Sequence, residues 1–576
     1  MFKKLISLTN LDVKKMLKYG TVATISMFSI VYFFGMTNGM LAFPIALTAI
    51  SLSFEDIHVK TISKTFKLII IDSAIITASF LASINPYIGI PINFLTIFLI
   101  AYFLTVKFNP KIYKPFMMLF VFTSFSPVSF EDYITRIASM LFGIILVMGL
   151  TFITSRKTKK NIIIHTIYKP LQIFNEYIKT IIDGNKDYRI YTNFSKTMRT
   201  LCYKIYITRY RNFLTTNIGK IQFDIYLSLE KLNIYIDTIS KEKDLSNDKT
   251  LISLHEKINS ILDSLNNELD ISKITNELDL FAKSNINNKN LPDISEIVEC
   301  LSYSIKNINT LNLKDLNKPY TPWNRSELEK LFVLIPSDFN LNSIRVRFSL
   351  RISISLTIII FLGHIISIYK FIWVGITIMS VMQPYYEETL TKGKDRAKGN
   401  IIGVTIIVVL LHFSKEPYLA FIILIISLYL TYGFSEYYKL SIFTSMASIS
   451  IASLSTGLKE ITLSRIAFII IGLIIVFIFN KFVFPYNAEK GAKTLTAKLL
   501  KYNLFLFNEY KKLKTPNEKF NPNRFRDIVI LTTLNAEKLI SRNDMIKSDK
   551  INEIVDMNNN LTINMAFDTL AREFKN

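Results

Sequence analysis

The sequence predicts an all-α polytopic membrane protein, built as two parallel repeats of about six transmembrane helices, each followed by a cytoplasmic α-helical domain. Three observations lead there. Half of the residues are apolar, and they are segregated into two blocks, roughly 20–155 and 349–485, with Lys-, Asn-, Asp- and Glu-rich stretches after each. Lys and Arg gather in alternate short loops, which marks the cytoplasmic side. Two segments of the second half also repeat segments of the first at nearly one spacing. The domains are therefore 1–156 (first transmembrane unit), 157–343 (helical), 344–485 (second transmembrane unit) and 486–576 (C-terminal helical).

The first block divides at its charges and prolines into spans near 20–36, 40–54, 67–84, 91–106, 115–128 and 134–155. Several are shorter than the roughly 20 residues that cross a bilayer unaided, a mismatch that thinning and snorkelling absorb. Lys3, Lys4, Lys14, Lys15 and Lys18 precede the first span. Lys60, Lys64 and Lys67 follow the second, Lys107, Lys111 and Lys114 the fourth, and Arg156, Lys157, Lys159 and Lys160 the sixth. The alternate loops MTNG, SINPYIGIP and SPVSFED carry no basic residue. With six spans, both ends of the block face the cytoplasm.

Spans of the second block sit near 349–369, 371–383, 399–413, 417–433, 439–456 and 463–484. Basic residues lie before the first (Arg345, Arg347, Arg351), between the second and third, and after the last (Lys481, Lys490, Lys493). Lys370, Lys415 and Lys459 fall on the predicted outer side. The net charge of +23 thus reads as membrane topology and not as a nucleic-acid surface. No cleavable signal peptide is expected, because lysines interrupt the N-terminal apolar residues.

The halves are related. Arg136-Ile137-Ala138 matches Arg465-Ile466-Ala467, and Gly143 matches Gly472, at an offset of 329. In the polar regions IFNEYIK (173–179) lies over LFNEYKK (506–512), at an offset of 333. An even number of spans per unit gives both units one orientation, hence a parallel repeat. The middle region shows apolar residues at three- and four-residue spacing, giving five or so amphipathic helices that end in a turn-like stretch at 317–327. Cys202 and Cys300 match no metal spacing and read as reduced thiols.

The stretch PYYEETLTKGKDRAKGNIIGV (384–404) wedges dense charge between two apolar runs. On a helix Lys392 and Arg396 share a face, and Gly399 and Gly403 allow close helix approach. Such a basic face would concentrate organic anions at a cytoplasmic mouth, and Arg grips a carboxylate with two parallel hydrogen bonds. The competing reading makes Lys392, Lys394, Lys398 and Arg396 ordinary positive-inside residues that anchor at lipid phosphates.

That motif resembles the fusaric acid resistance and aromatic acid exporter family. Its second membrane unit carries a Thr and a basic residue, then Arg, then Gly-Thr and a further Gly, matched here by Thr389, Lys392, Arg396, Gly399 and Gly403. Asn400 stands where the family has the second Thr, and the first unit, with Lys60 and Lys64 at the same spacing, lacks the glycines. The basic lead-in SIRVRFSLRISISL (343–356) is also similar. The resemblance implies export of aromatic carboxylic acids and related toxic compounds; plant anion channels of the aluminium-activated malate type look distantly similar.

Asp72 is the carboxylate within an apolar span and a candidate for proton coupling, with pairing to Lys67 as the alternative. Arg136 and Arg465, at the outer ends of the sixth spans, are candidates for an anion path or structural anchors; His364 and His412 read as membrane-edge packing. The leading expectation is a cytoplasmic-membrane exporter of small organic anions driven by the proton gradient. Its alternatives are a passive organic-anion channel and a membrane-anchored helical scaffold. No G-x-x-x-x-G-K-[ST] loop encodes ATP use, and His255-Glu256 lacks the second histidine of a metalloprotease, so no enzyme, cofactor or metal is expected. Expected partners are the bilayer, small organic anions, and a homo-oligomer or accessory efflux subunit. The Lys-, Asn- and Ile-rich composition suggests a bacterium.

Overall fold

The computed structural model describes residues 11–53, 61–105, 112–154, 167–208, 216–267, 271–288, 290–307, 339–366, 370–413, 417–453, 458–515 and 518–575. Lys3, Lys4, Lys60, Lys107, Lys111, Arg156, Lys157, Lys159, Lys160, Lys415 and the stretch 317–327 lie outside the described residues. The described elements are helical, and they form two compact units. Both apolar blocks make up one unit (1–156 with 328–488), and both polar blocks the other (157–327 with 489–576).

The membrane unit holds α1 (Val13–Phe34), α2 (Ala42–Ser53), α3 (Thr61–Ile84), α4 (Pro86–Leu104), α5 (Tyr113–Ser124) and α6 (Phe130–Thr154). From the second block come α13 (Ile344–Ile366), α14 (Ile372–Val381), α15 (Tyr386–Phe413), α16 (Pro417–Gly433), α17 (Tyr437–Ser453) and α18 (Leu458–Phe482). Capping follows sequence: Asp12 accepts from Lys15 N at 2.9 Å at the start of α1, and Asn85 accepts from Tyr87 N ahead of Pro86 at the start of α4. Among the described residues six helices (13–34, 64–84, 86–104, 130–154, 344–366 and 460–482) are long and apolar enough to cross a membrane. Twelve spans were expected; α14, at ten residues, reaches about 15 Å of a hydrocarbon core of roughly 30 Å.

The halves interlock. α4 packs on α13 and α1 packs on α16, while α6 packs on α1 and α2 and α18 packs on α13 and α14. A shared core of Ile97, Phe116, Phe120 and Met140 with Phe348, Ile352, Ile378 and Val476 joins them. Large apolar side chains such as Leu95, Phe103, Ile145, Ile401, Phe421 and Ile474 stay exposed, as a lipid-facing surface requires. Gly143 on α6 is pressed against Ile30 of α1 and Ile45 of α2, and Gly472 on α18 against Thr377 and Val374 of α14. Ile45 and Val374 are separated by the same 329 residues as the two glycines.

The polar unit holds α7 (Lys169–Ile182), α8 (Tyr188–Thr208), α9 (Asn217–Glu242), α10 (Lys249–Asn267), α11 (Ile271–Ser284), α12 (Ile294–Lys306), α19 (Ala488–Lys514), α20 (Pro522–Ile546) and α21 (Asp549–Lys575). The sequence divided these helices between two domains, yet α8 packs on α20, and α9 and α12 pack on α21. The reason is amphipathicity: apolar stripes such as Phe223 and Leu227 on α9 find their cover in Phe525, Ala566 and Leu570. Tyr177 on α7 donates to Asp237 at 2.7 Å, and Tyr510 on α19 donates to Asp568.

Candidate functional site

The charged stretch at 384–404 is helix almost from its start. α15 begins at Tyr386 and runs through both glycines without a break, where the sequence suggested a joint outside the third span. Backbone contact with α17 explains the glycines: a Cβ on Gly399 would meet Tyr438 O, and one on Gly403 would stand 2.6 Å from Ile442 O. Asn400, 4% exposed, completes this seam, with its Nδ2 donating to Arg396 O at 2.7 Å and its Oδ1 accepting from Ser445 Oγ.

Arg396 lies ten residues into α15, roughly 15 Å along its axis, and is 4% exposed. Arg465 on α18 is equally enclosed, with its guanidinium 4.9 Å from the centre of the Trp373 ring. The sequence put these arginines at opposite ends of their spans; the structure brings them within electrostatic reach of each other. The early start of α15 accounts for this, since it carries Arg396 into the bundle. Neither guanidinium has an ion pair or hydrogen bond among the described residues, and each Nε is buried without a partner. Lys394 and Lys398 on the same helix are exposed.

Thr389 and Lys392 belong to a second cluster at the start of α15. Thr389 Oγ1 accepts from Gln383 N at 3.0 Å, and Lys392 Nζ donates to Gln383 Oε1 at 2.8 Å while lying 5.2 Å from the Tyr437 ring centre. Arg351, fully buried, holds this turn through Gln383 O at 2.7 Å and Pro384 O at 3.0 Å. Tyr113 stands within electrostatic reach of Arg351, Glu388 and Tyr437. Sequence reasoning treated Arg351 as a topology charge and missed Gln383, Tyr113 and Trp373. The signal for Arg351 was its place deepest into an apolar helix of the three arginines there, and for Gln383 an amide just past the apolar α14.

Arg136 is separate and satisfied: Nη1 donates to Ser126 O at 2.6 Å and Nε to Asn38 Oδ1 at 3.4 Å. Asp72 is fully buried on the α3 face that carries Leu68, Ile75 and Ile76. Neither carboxyl oxygen finds a hydrogen-bond partner among the described residues, and Lys67, its suggested partner, is exposed. Unpaired ionisable groups inside apolar helices are costly and mark function by default. His364 Nε2 lies 2.7 Å from Ser124 O, a packing contact between α13 and α5. His255 and Asn259 sit a turn apart on α10, with Asn259 Nδ2 3.2 Å from His255 Nε2.

Residues 357–479 match the family model described as fusaric acid resistance protein-like. That segment runs from α13 into α18 and includes Trp373, Arg396, Asn400, Arg465 and both seam glycines. The chain matches no curated protein and no solved structure in the same comparisons. With its apolar helices, the match supports a membrane protein of transporter type. Within its second membrane half, the chain is thus similar to the fusaric acid resistance protein-like family.

Proposed function

We propose that the protein is a cytoplasmic-membrane transporter that exports small organic anions, aromatic carboxylates among them, driven by the proton gradient. One observation carries the reading: two buried guanidiniums, Arg396 and Arg465, lie within electrostatic reach of each other, and neither has an ion pair among the described residues. Two like charges in a desolvated site repel, and each pays for burial without a counter-ion. An organic anion relieves both costs at once, and Trp373 beside Arg465 offers a flat apolar face suited to an aromatic ring. Asp72 is suited to taking up and releasing the coupling proton.

The reading includes two parallel repeats with the helical unit and both termini in the cytoplasm. The reciprocal packing of α4 on α13 and α1 on α16 supports the repeat, as do the matched Gly143–Ile45 and Gly472–Val374 contacts and the Tyr–Asp bonds of α7 and α19. The positive loops support the orientation.

The test is efflux of preloaded benzoate from cells making the wild type or Arg396→Ala, with and without a protonophore. Export should fall on the order of tenfold or more in the variant, as expected for a lost charge-assisted hydrogen bond, and should collapse with the protonophore. Export that survives the protonophore makes the protein a passive anion channel. Well-expressed wild type that exports none of a panel of organic anions removes the reading.

A further inference from the structure

Within the helical unit, α8, α9, α20 and α21 surround a cavity of ≈ 110 Å³. A bundle of this kind ordinarily fills its centre with Leu and Ile, so a polar interior calls for an occupant. Here each helix turns polar side chains inward: Arg199 on α8, Glu230 on α9, Glu537 on α20, and Asp556 and Asn560 on α21. Tyr188, Tyr191 and Tyr226 add aromatic surface to the same wall. A cavity of roughly 150 Å³ holds benzene, so a ligand of a few heavy atoms fits.

Charge selects the ligand. Asp237 at the rim is already neutralised by Lys186 at 2.8 Å and Lys241 at 2.7 Å, and it accepts from Tyr177. Glu230, Glu537 and Asp556 have no hydrogen bond and no ion pair among the described residues. Arg199 is the cation within electrostatic reach of both Glu230 and Glu537, and its buried Nε is unpartnered. Arg199, Lys186 and Lys241, the last also within electrostatic reach of Asp556, stand against the four carboxyls of Asp237, Glu230, Glu537 and Asp556, which leaves one carboxyl in excess inside a chain whose net charge is +23. An anion would meet repulsion there. A metal ion is disfavoured as well, because no group of three or more His, Cys, Asp or Glu among the described residues is arranged to hold one.

We propose that this cavity binds a small organic cation, a primary amine or diamine, whose ammonium donates to Glu230 and Glu537 against the tyrosine faces. An ammonium brings three donors to a site rich in acceptors, and desolvated tyrosine rings attract it further. The proposal does not rest on the transport reading, since the cavity lies wholly within the helical unit.

The test is calorimetric titration of the full-length protein in detergent with putrescine, benzylamine, magnesium chloride and sodium benzoate in turn. One or both amines should bind, and Glu230→Gln and Glu537→Gln should each weaken that binding about tenfold, the loss of one charge-assisted hydrogen bond. Asn560→Lys, which tethers an ammonium at the cavity wall, should abolish it while helix content by circular dichroism is kept. Three results would overturn the proposal: no amine heat at millimolar concentration, amine binding indifferent to the two Gln variants, or selective binding of benzoate or magnesium.

Discussion

Glu230 stands in the wall of that cavity, where burial pushes its carboxyl from an ordinary 4.5 up to about 7, against the opposing pull of the Arg199 guanidinium. The fold therefore favours the neutral acid. Below pH 4.5 the group is protonated in folded and unfolded chains alike, and the stability tied to the neutral form is fully present. As the pH rises through 7 the folded protein must carry a desolvated carboxylate, and that stability is lost. At about 1.4 kcal/mol per tenfold change in proton affinity, the loss is about 3 kcal/mol.

Glu230→Gln keeps the shape and removes the titration. The variant should melt close to wild type at pH 4.5 and higher than wild type at pH 8, by on the order of 5–10 °C for a unit of this size. Asp224, raised to about 6 by burial, and Asp556 and Glu537, raised by the same cause, titrate in both proteins and cancel in the difference. The measurement is differential scanning calorimetry of the two full-length proteins in detergent at both pH values. A variant that melts below wild type at pH 8, or by an equal shift at both, would refute the reasoning. Attraction between Glu230 and Arg199 would then outweigh desolvation.

Four further outcomes follow from the same geometry. Amine binding should strengthen between pH 6 and 8 as Glu230 ionises opposite Arg199, Glu537 and Asp556, with Lys196 and Lys538 acting on Glu537; titration across that range checks it. Gly403→Ala sets a Cβ against the Ile442 carbonyl and should cost about 1–3 kcal/mol, read as a lower melting temperature in detergent. Arg526→Ala breaks a two-point contact with Glu573, at 2.7 and 2.8 Å, and removes a counter-charge from buried Asp224. It should cost about 3–5 kcal/mol by denaturant titration. Asp72→Asn should reduce benzoate export to the level seen with a protonophore while leaving benzoate binding intact, checked by flux and by calorimetry.

What the sequence disclosed differed sharply between its two kinds of signal. Composition and periodicity are local, so the apolar blocks and the amphipathic helices were legible, and so was the motif from Thr389 to Gly403. Depth is not local. Arg396 read as a loop residue because Lys392, Lys394 and Lys398 surround it in sequence, yet only Lys394 and Lys398 reach the surface. A helix sorts such neighbours by angle, and Gly399 at the α17 contact sets which face turns inward. Pairing is less local still. Lys67 looked like the partner of Asp72, five residues away, but that spacing on α3 leaves the two on different sides of the helix, one exposed and one buried. The four-helix cavity was illegible for the same reason, since its walls come from segments separated by some three hundred residues.

The two arginines with matched sequence positions have unlike surroundings. Arg136 spends its donors on Ser126 O and Asn38, so the first half holds a closed, satisfied cation. Arg465 has Trp373 beside it and Arg396 within reach, and no acceptor among the described residues. On the transport reading this asymmetry divides the labour: the second half holds the anion while the first, with unpartnered Asp72, handles the proton. Reversing the division is the sharpest challenge to it. Asn38→Ala should free the Arg136 Nε donor at an energetic cost of about 1–3 kcal/mol for the group left unpaired. Because no second cation stands beside Arg136 among the described residues to define an anion site, export should not rise. A gain of benzoate export in Asn38→Ala would show that a single released arginine suffices, and the pairing of Arg396 with Arg465 would lose its meaning.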